Sequence, residues 1–207
     1  MDIRELDDDI DGRAYVAGIV AGKRVSIAVV NMSLETLNYV LALGILAMQI
    51  AGAGFLALFF LRGKFPDLED AGRFLADWGL WIGFLLTLAG AGLTLYYSEV
   101  LGFVPCGWCW VQRVFLWPQV VLFALALYKR DRAVADYSIA FSIFGGAAAL
   151  YQHYLQMGGH SVIPCPASGA GDCAQRFLFE FGYITFPLMA ATIFGFLIVL
   201  MLFVRRR

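Results

Sequence analysis

Charged residues are scarce in this sequence. Asp, Glu, Lys and Arg make up only 15% of its 207 residues, whereas hydrophobic residues make up 61%. Soluble globular domains carry about a quarter charged residues, so this composition excludes an ordinary soluble domain. It is typical of a multi-pass membrane protein, in which apolar stretches of about 20 residues each cross a hydrocarbon core roughly 30 Å thick.

Other signals are also missing. The chain opens with an acidic run from Glu5 to Asp11, where a cleavable signal peptide has a basic region and an apolar core, so no such peptide is predicted. No strongly basic face favours nucleic acid as a partner. The 4 cysteines are too few for a disulfide-dense scaffold, although they fall into two pairs.

Apolar stretches predict five membrane-spanning helices. The first is free of charge from Leu37 to Leu61, and the others lie at about residues 75–97, 109–128, 134–156 and 183–204. We therefore predict an all-α membrane protein. A four-helix transmembrane bundle covers about residues 75–204, and an additional N-terminal transmembrane helix covers residues 34–62. Residues 1–33 are predicted to be interfacial or poorly ordered. A short strand pair is the alternative there, because Val25 to Val30 is rich in β-branched residues.

Basic residues orient the predicted spans. They occur at residues 62–73, at residues 129–132 and at the C-terminal residues 205–207. With five spans, all three groups fall on one side, which the positive-inside rule identifies as the cytoplasm. Lys23 and Arg24 oppose this orientation mildly. Both cysteine pairs then lie in the opposite compartment, where disulfides persist. The C-terminus is predicted to be cytoplasmic.

One cysteine pair opens the third span, in the run CGWCWVQR that begins at Cys106. If a helix begins there, Cys109 and Arg113 are one turn apart on the same face. The partial positive charge of a helix N-terminus favours a thiolate, which makes such a pair reactive. An isolated arginine near a span end often snorkels to the interface. Arg113 lies several residues inside the span, however, where an unpaired charge costs a few kcal/mol, and this indicates a functional role.

The second pair, Cys165 and Cys173, lies in a loop rich in Gly and Pro. A structural staple is the simple interpretation of such a pair. A flexible loop in the same compartment as a C-x-x-C pair favours a relay that brings a disulfide to a soluble partner. A zinc site made of all four cysteines is a further alternative, but an oxidising compartment favours disulfides, and no metal is predicted.

His153 lies near the outer end of the fourth span. A histidine in this position is most often hydrogen-bonded within the bundle or at the interface, and it is also a candidate donor to a ligand among the helices. Two thiols that form a disulfide give up two electrons. In a membrane, with no metal or flavin signature in the chain, the expected acceptor is a quinone beside Cys109. Arg113 would then stabilise the charge that develops on a carbonyl oxygen.

These residues resemble a known family. The run from Cys106 to Arg113 is similar to the C-x-x-C-x-x-x-R signature of the DsbB family of membrane thiol oxidases. The segment Tyr151–Gln152–His153 and the later run GDCA around Cys173 are similar to that family's second half. The compact second loop is closer to BdbC-type members. The resemblance covers about residues 75–204, so the segment before it departs from the family's four-span pattern.

The resemblance implies roles for single residues. Cys106 and Cys109 would form the quinone-coupled disulfide, with Cys109 next to ubiquinone or menaquinone. Arg113 and His153 would contact the quinone. Cys165 and Cys173 would form a shuttle disulfide in which a soluble thioredoxin-like, DsbA-type oxidase attacks Cys165, after which Cys173 exchanges with Cys106. The protein would lie in the bacterial inner membrane, with its cysteine loops in the periplasm or outside the cell.

Two alternatives stay open at this point. A quinone reductase of the vitamin K epoxide reductase type also carries two cysteine pairs in a membrane bundle. There the loop pair precedes the C-x-x-C pair, whereas here the C-x-x-C pair comes first. A non-catalytic membrane scaffold with two stapled loops would hold disulfides that no external dithiol reduces.

Overall fold

The computed structural model describes residues 17–20, 23–26, 34–65, 67–163, 165 and 172–206. Most of them belong to five helices: α1 (Leu34–Leu61), α2 (Asp67–Leu95), α3 (Gly107–Lys129), α4 (Val134–Gln156) and α5 (Phe186–Arg205). The five helical segments are long and apolar enough to cross a membrane. This confirms the predicted all-α membrane bundle with an additional N-terminal helix.

Two short strands precede the helices. They are β1 (Ala17–Val20) and β2 (Lys23–Ser26), which pair in antiparallel fashion with Ala17 opposite Ser26. The strand pair therefore lies just before and at the start of the β-branched stretch, Val25 to Val30, for which a strand pair is the alternative prediction. The rest of the predicted interfacial segment, including residues 27–33, lies outside the described residues.

The starts of two helices, α2 and α5, differ most from the prediction. α2 begins at Asp67, well before the predicted start near residue 75. Acidic residues in its first turns pair with Arg73, whose guanidinium lies 3.2 Å from Glu69 and 3.8 Å from Asp70. These i,i+4 and i,i+3 pairs favour helix in a stretch that looked like a polar loop. α5 begins at Phe186 instead of near residue 183, because the Thr185 side chain caps it.

The helix changes to a wider geometry at the end of α2. Its last turn continues directly into a π-helical turn, Tyr96–Val100. Gly102 then adopts a left-handed conformation with φ of +71° and lets the chain turn toward α3. Widened turns of this kind often mark functional sites, and this one lies beside the start of α3.

α5 is the central helix of the bundle. It packs against α1, α2 and α4, and its Leu197, Leu200 and Met201 side chains are fully buried. It packs tightly on α4 at Gly145, where the ring of Phe194 lies directly over the backbone. A Cβ atom at Gly145 would lie only 2.4 Å from the nearest ring atom, so the absence of a side chain sets the α4–α5 distance.

The basic turns gather at one end of the bundle. Arg205 forms an ion pair of 2.8 Å with Asp136 at the start of α4. Arg62 after α1 and Arg206 after α5 both lie over the ring of Phe59, at 4.9 and 4.4 Å from its centroid. Arg132, between α3 and α4, pairs with Asp77 of α2 at 3.6 Å. Basic residues from all three chain segments thus make contacts at the end opposite to the cysteines.

We expect Gly145→Ala to lower the free energy of unfolding by about 1–3 kcal/mol, because the new methyl group clashes with a Phe194 ring that has no room to move. Thermal unfolding in detergent measures the change. Gly146→Ala is the matched control, since its Cβ would meet Phe194 at an ordinary 3.5 Å. Equal losses in the two variants would contradict this account of the α4–α5 contact.

Candidate active site at the cysteine end

All four cysteines lie together at one end of the bundle. Cys106 and Cys173 are buried in one cluster with Leu155, and Cys109 and Cys165 pack against its edge. Cys165 and Cys173 form a disulfide with a Cα–Cα distance of 6.2 Å, whereas Cys106 and Cys109 are free thiols. The loop pair and the helix pair are thus direct neighbours.

Cys106 is the N-cap of α3. Its sulfur accepts a hydrogen bond from the backbone N–H of Cys109 at 3.4 Å, and the two sulfur atoms are 2.9 Å apart. The hydrogen bond with the Cys109 side chain and burial raise the pKa of the Cys106 thiol. Cys106 therefore resists ionisation, and Cys109, in the first turn of α3, is the better placed of the two sulfurs for negative charge. A helix N-terminus favours charge of that sign.

Gln152 of α4 faces this pair. Its amide nitrogen lies 3.0 Å from the sulfur of Cys106 and 3.4 Å from that of Cys109. Its amide oxygen accepts a hydrogen bond of 2.6 Å from Gln112 of α3. Gln152 is 1% exposed and Gln112 is 8% exposed. Two amides shielded from solvent thus connect α3, α4 and the thiol pair.

Arg113 is also buried, at 7% exposure. Its guanidinium donates a hydrogen bond of 2.9 Å to the carbonyl oxygen of Thr94, just before the widened turn of α2. The same group lies 4.9 Å from the ring centre of Trp110 and 5.6 Å from that of Trp117. Among the described residues, no carboxylate lies within ion-pair distance of Arg113, so its charge is not cancelled locally.

An apolar cavity of about 1080 Å³, including its open mouth, lies beside the thiol pair. Cys106, Cys109 and Arg113 line it from α3, and Tyr97 lines it from the π-helical turn. The remaining wall is mostly apolar and includes residues of α1, α2 and α5: Leu41, Leu93, Met189, Ala190 and Ile193. An apolar chamber with a few convergent polar groups has the usual character of a small-molecule site.

His153 lies elsewhere. Its Nδ1 atom is 2.9 Å from the hydroxyl of Thr185, the residue that caps α5, and it is not among the residues that line the cavity. Five of the six residues singled out from the sequence come together at the cysteine cluster or the cavity. His153 is the exception.

Three residues of this site had no role in the sequence-based prediction: Gln112, Gln152 and Thr94. The signal for the two glutamines was present, because each is a polar residue inside an apolar span and precedes a residue that was singled out, Arg113 or His153. Thr94 acts through its backbone carbonyl, which any residue carries, so no side-chain pattern could identify it.

Residues 76–204 match the family described as "Disulfide bond formation protein DsbB". The chain belongs to this family. Its relatives include a probable disulfide formation protein from Chlamydia caviae, which is 35% identical over 123 residues, or 59% of this chain and 88% of that protein. Disulfide bond formation protein C from Bacillus subtilis is 32% identical over 124 residues, covering 58% and 86% of the two chains. No solved structure matches the chain significantly.

Family membership confirms the resemblance drawn from the sequence and makes the protein a disulfide-generating oxidoreductase of the membrane. The matched residues contain both cysteine pairs and the whole of α3, α4 and most of α5. α1 lies outside them, so the family match explains neither its presence nor its contacts.

Proposed function

We propose that this protein oxidises a soluble thioredoxin-like, DsbA-type oxidase and passes the electrons to a membrane quinone. The observation that carries the proposal is the position of the thiol pair. It touches the loop disulfide within one cluster and also lines an apolar cavity that contains a buried cation.

Within the loop disulfide, the difference in exposure between the two sulfurs indicates which of them reacts with the partner. Cys165 is only partly buried, so it is the sulfur that a partner's thiolate attacks. The Cys165–Cys173 bond breaks, the partner's two thiols become a disulfide, and Cys165 and Cys173 are left as thiols. Cys173 is buried against Cys106, so it is the one that attacks the Cys106–Cys109 disulfide.

This exchange balances within the chain. A Cys173–Cys106 bond forms and Cys109 leaves as a thiolate, after which Cys165 attacks Cys173 and releases Cys106. The loop pair is then a disulfide again, and Cys106 and Cys109 hold two electrons. Free thiols at Cys106 and Cys109 beside a Cys165–Cys173 disulfide correspond to this stage of the cycle.

The cavity suits a quinone, which accepts two electrons and two protons from a dithiol. Apolar walls would accommodate a flat ring and a hydrocarbon tail. Cys109 lines the cavity and would face the acceptor, and the guanidinium of Arg113 would stabilise negative charge on a carbonyl oxygen. Whether the quinone is ubiquinone or menaquinone stays open. The contact of His153 with a quinone stays a prediction, since its ring nitrogen is engaged with Thr185.

The basic end of the bundle supports a cytoplasmic location for that end, and hence a periplasmic or extracellular location for the cysteines in a bacterial inner membrane. We assign the oxidase activity to the bundle over residues 75–204, with α1 as an addition to it.

The alternatives are weaker on specific grounds. In the vitamin K epoxide reductase type the loop pair comes first in the sequence, and here it comes second. A zinc site of four cysteines needs four thiolates, and two of these sulfurs form a disulfide. A scaffold with inert disulfides gives no reason to bury a cation next to a thiol pair.

We expect Cys109→Ser to abolish reduction of added quinone by a reduced thioredoxin-like partner, because the last electron donor is removed. Cys165→Ser should block only the uptake of electrons from the partner. Anaerobic turnover with a defined quinone, followed by quinone absorbance, measures both effects.

Dithiothreitol provides the control for this pair of variants. Being small, it should reduce the Cys106–Cys109 pair directly and restore quinone reduction in Cys165→Ser, but not in Cys109→Ser. Full partner-driven turnover in both variants would overturn the relay.

We expect Arg113→Ala to raise the apparent KM for quinone about tenfold or more, since a charge-assisted hydrogen bond contributes about 1.5–3 kcal/mol. The KM for the protein partner should stay unchanged. Arg62→Ala, at the opposite end of the bundle and also in contact with aromatic rings, is the matched control. An unchanged quinone dependence in Arg113→Ala would return this residue to the snorkelling interpretation.

A further inference from the structure

The buried amide of Gln152 carries an inference about how the thiol pair is made reactive. It belongs to α4, whereas both sulfurs belong to the start of α3, yet its nitrogen is within hydrogen-bond distance of Cys106 and Cys109 together. An amide group carries two N–H donors. One Gln152 side chain can therefore donate to both sulfurs at the same time, or to whichever of them is charged.

Gln112 fixes the direction in which this amide points. Because the Gln112 nitrogen donates to the Gln152 oxygen at 2.6 Å, that oxygen is already engaged as an acceptor. The oxygen also lies 3.9 Å from the sulfur of Cys109, farther than the amide nitrogen lies from either sulfur. A flipped Gln152 would direct an acceptor at a thiolate and would leave the Gln112 donor without its acceptor. Both residues are buried, so water does not replace these contacts easily.

We infer that Gln152 is a positioning residue that stabilises negative charge on the Cys106–Cys109 pair, and that Gln112 holds it in the donating orientation. Hydrogen bonds to ionised groups are about twice as strong as those between neutral groups. The amide supplies this stabilisation without adding a charge of its own beside the cavity.

The charged and titratable groups around the pair come from every neighbouring segment. Arg113 on α3, Tyr97 on the π-helical turn and Asp172 on the loop line the same cavity. Tyr151 of α4 packs against the cysteine cluster, and His153 is turned to Thr185. None of them is within hydrogen-bond distance of the two sulfurs. Of the residues that the structure describes, Gln152 is therefore the side chain from another helix that hydrogen-bonds to the pair.

Gln152→Met tests this inference, since Met keeps the length of the side chain and removes both donors. The reduced full-length protein in detergent is exposed briefly to iodoacetamide across a pH series, and alkylation of Cys109 is measured by mass spectrometry. The midpoint of the rate–pH profile should move up by about one pH unit or more, because the thiolate loses a hydrogen bond.

Gln119→Met is the matched control. Gln119 is a buried glutamine of α3 whose amide contacts Phe115, Ser138 and Ser142, away from the cysteines. The Gln119→Met variant should lose about as much thermal stability as Gln152→Met and should keep the alkylation midpoint of the wild-type protein. An unmoved midpoint in Gln152→Met, or an equal shift in Gln119→Met, would overturn the inference. If Gln152→Met does not fold, Gln112→Met should shift the midpoint in the same direction by a smaller amount.

This assay contains neither quinone nor partner, so it separates the inference from the proposed function. A shifted midpoint in a protein that does not reduce quinone would support the role of Gln152 and remove the quinone step. Normal quinone turnover with an unmoved midpoint would support the quinone step and overturn the role of Gln152.

A second inference concerns α1 and depends on other contacts. The hydroxyl of Tyr97 donates a hydrogen bond of 2.5 Å to Asn38 of α1, and both residues are buried. Further along α1, Gln49 donates to the hydroxyl of Thr192 at 3.0 Å and accepts from that of Tyr183 at 3.0 Å. Polar side chains in an apolar helix need partners inside the protein, so these bonds hold α1 in one rotation against α5.

That rotation places Leu41 at the cavity. Leu41 is the residue of α1 that lines the chamber, and the adjacent Ala42 is fully buried in a cluster with Met189 of α5. The geometry points to α1 as the outer wall of the cavity, with Leu41 determining how bulky a quinone the site accepts. This rests on the proposed function.

Leu41→Trp tests the role of the wall. It should weaken quinone binding about tenfold, measured as a loss of the rise in thermal stability that a quinone analogue gives the wild-type protein. Leu43→Trp is the matched control, because Leu43 is 42% exposed on another face of α1 and should leave binding unchanged.

The outcomes distinguish a failure of this second inference from a failure of the proposed function. Equal quinone binding in the two Trp variants would overturn the role of α1 as the outer wall of the cavity. A wild-type protein that binds no quinone would overturn the proposed function as well. If Leu41→Trp does not fold, Leu41→Ala should shift preference toward a bulkier quinone about tenfold, and an unchanged preference would count against the wall.

Discussion

The positive charge of Arg113 is buried inside an apolar bundle, and the cysteine end is arranged around it. A charge in this position costs several kcal/mol unless protein groups replace water. Here the carbonyl oxygen of Thr94 and two indole rings do so. These partners solvate the cation without neutralising it, because none of them is an anion. Its field therefore acts on the nearby sulfurs and on the cavity.

The thiol pair is likewise surrounded by polar groups that carry no charge of their own. Gln152 and Gln112 satisfy each other and the sulfurs with amide groups. A carboxylate at either position would repel a thiolate, and an apolar side chain would leave it unsolvated. Amides avoid both costs. The helix N-terminus, the guanidinium and the amide donors all favour negative charge at Cys109, which lines the cavity together with Cys106.

Much of this arrangement could be predicted from the sequence, and the limits have a physical origin. Span positions follow from hydropathy, which acts locally along the chain. The partner of each buried side chain depends on how helices are rotated against one another. His153 and Gln152 are adjacent in sequence, yet one contacts Thr185 and the other the thiols. That outcome is fixed by contacts such as Gly145 against Phe194, which no periodicity reveals.

For the proposed relay, burial gives a reason for two cysteine pairs instead of one. A sulfur that lines an apolar cavity in a membrane cannot also meet a folded soluble protein, because the same position would have to be both dry and accessible. Cys109 and Cys165 are both partly buried at the edge of the cluster, but Cys109 lines the apolar cavity and Cys165 lies in the loop. Cys173 and Cys106 lie buried between them. In the proposed relay, disulfide exchange across this buried contact would carry electrons from the exposed edge of the cluster to the cavity.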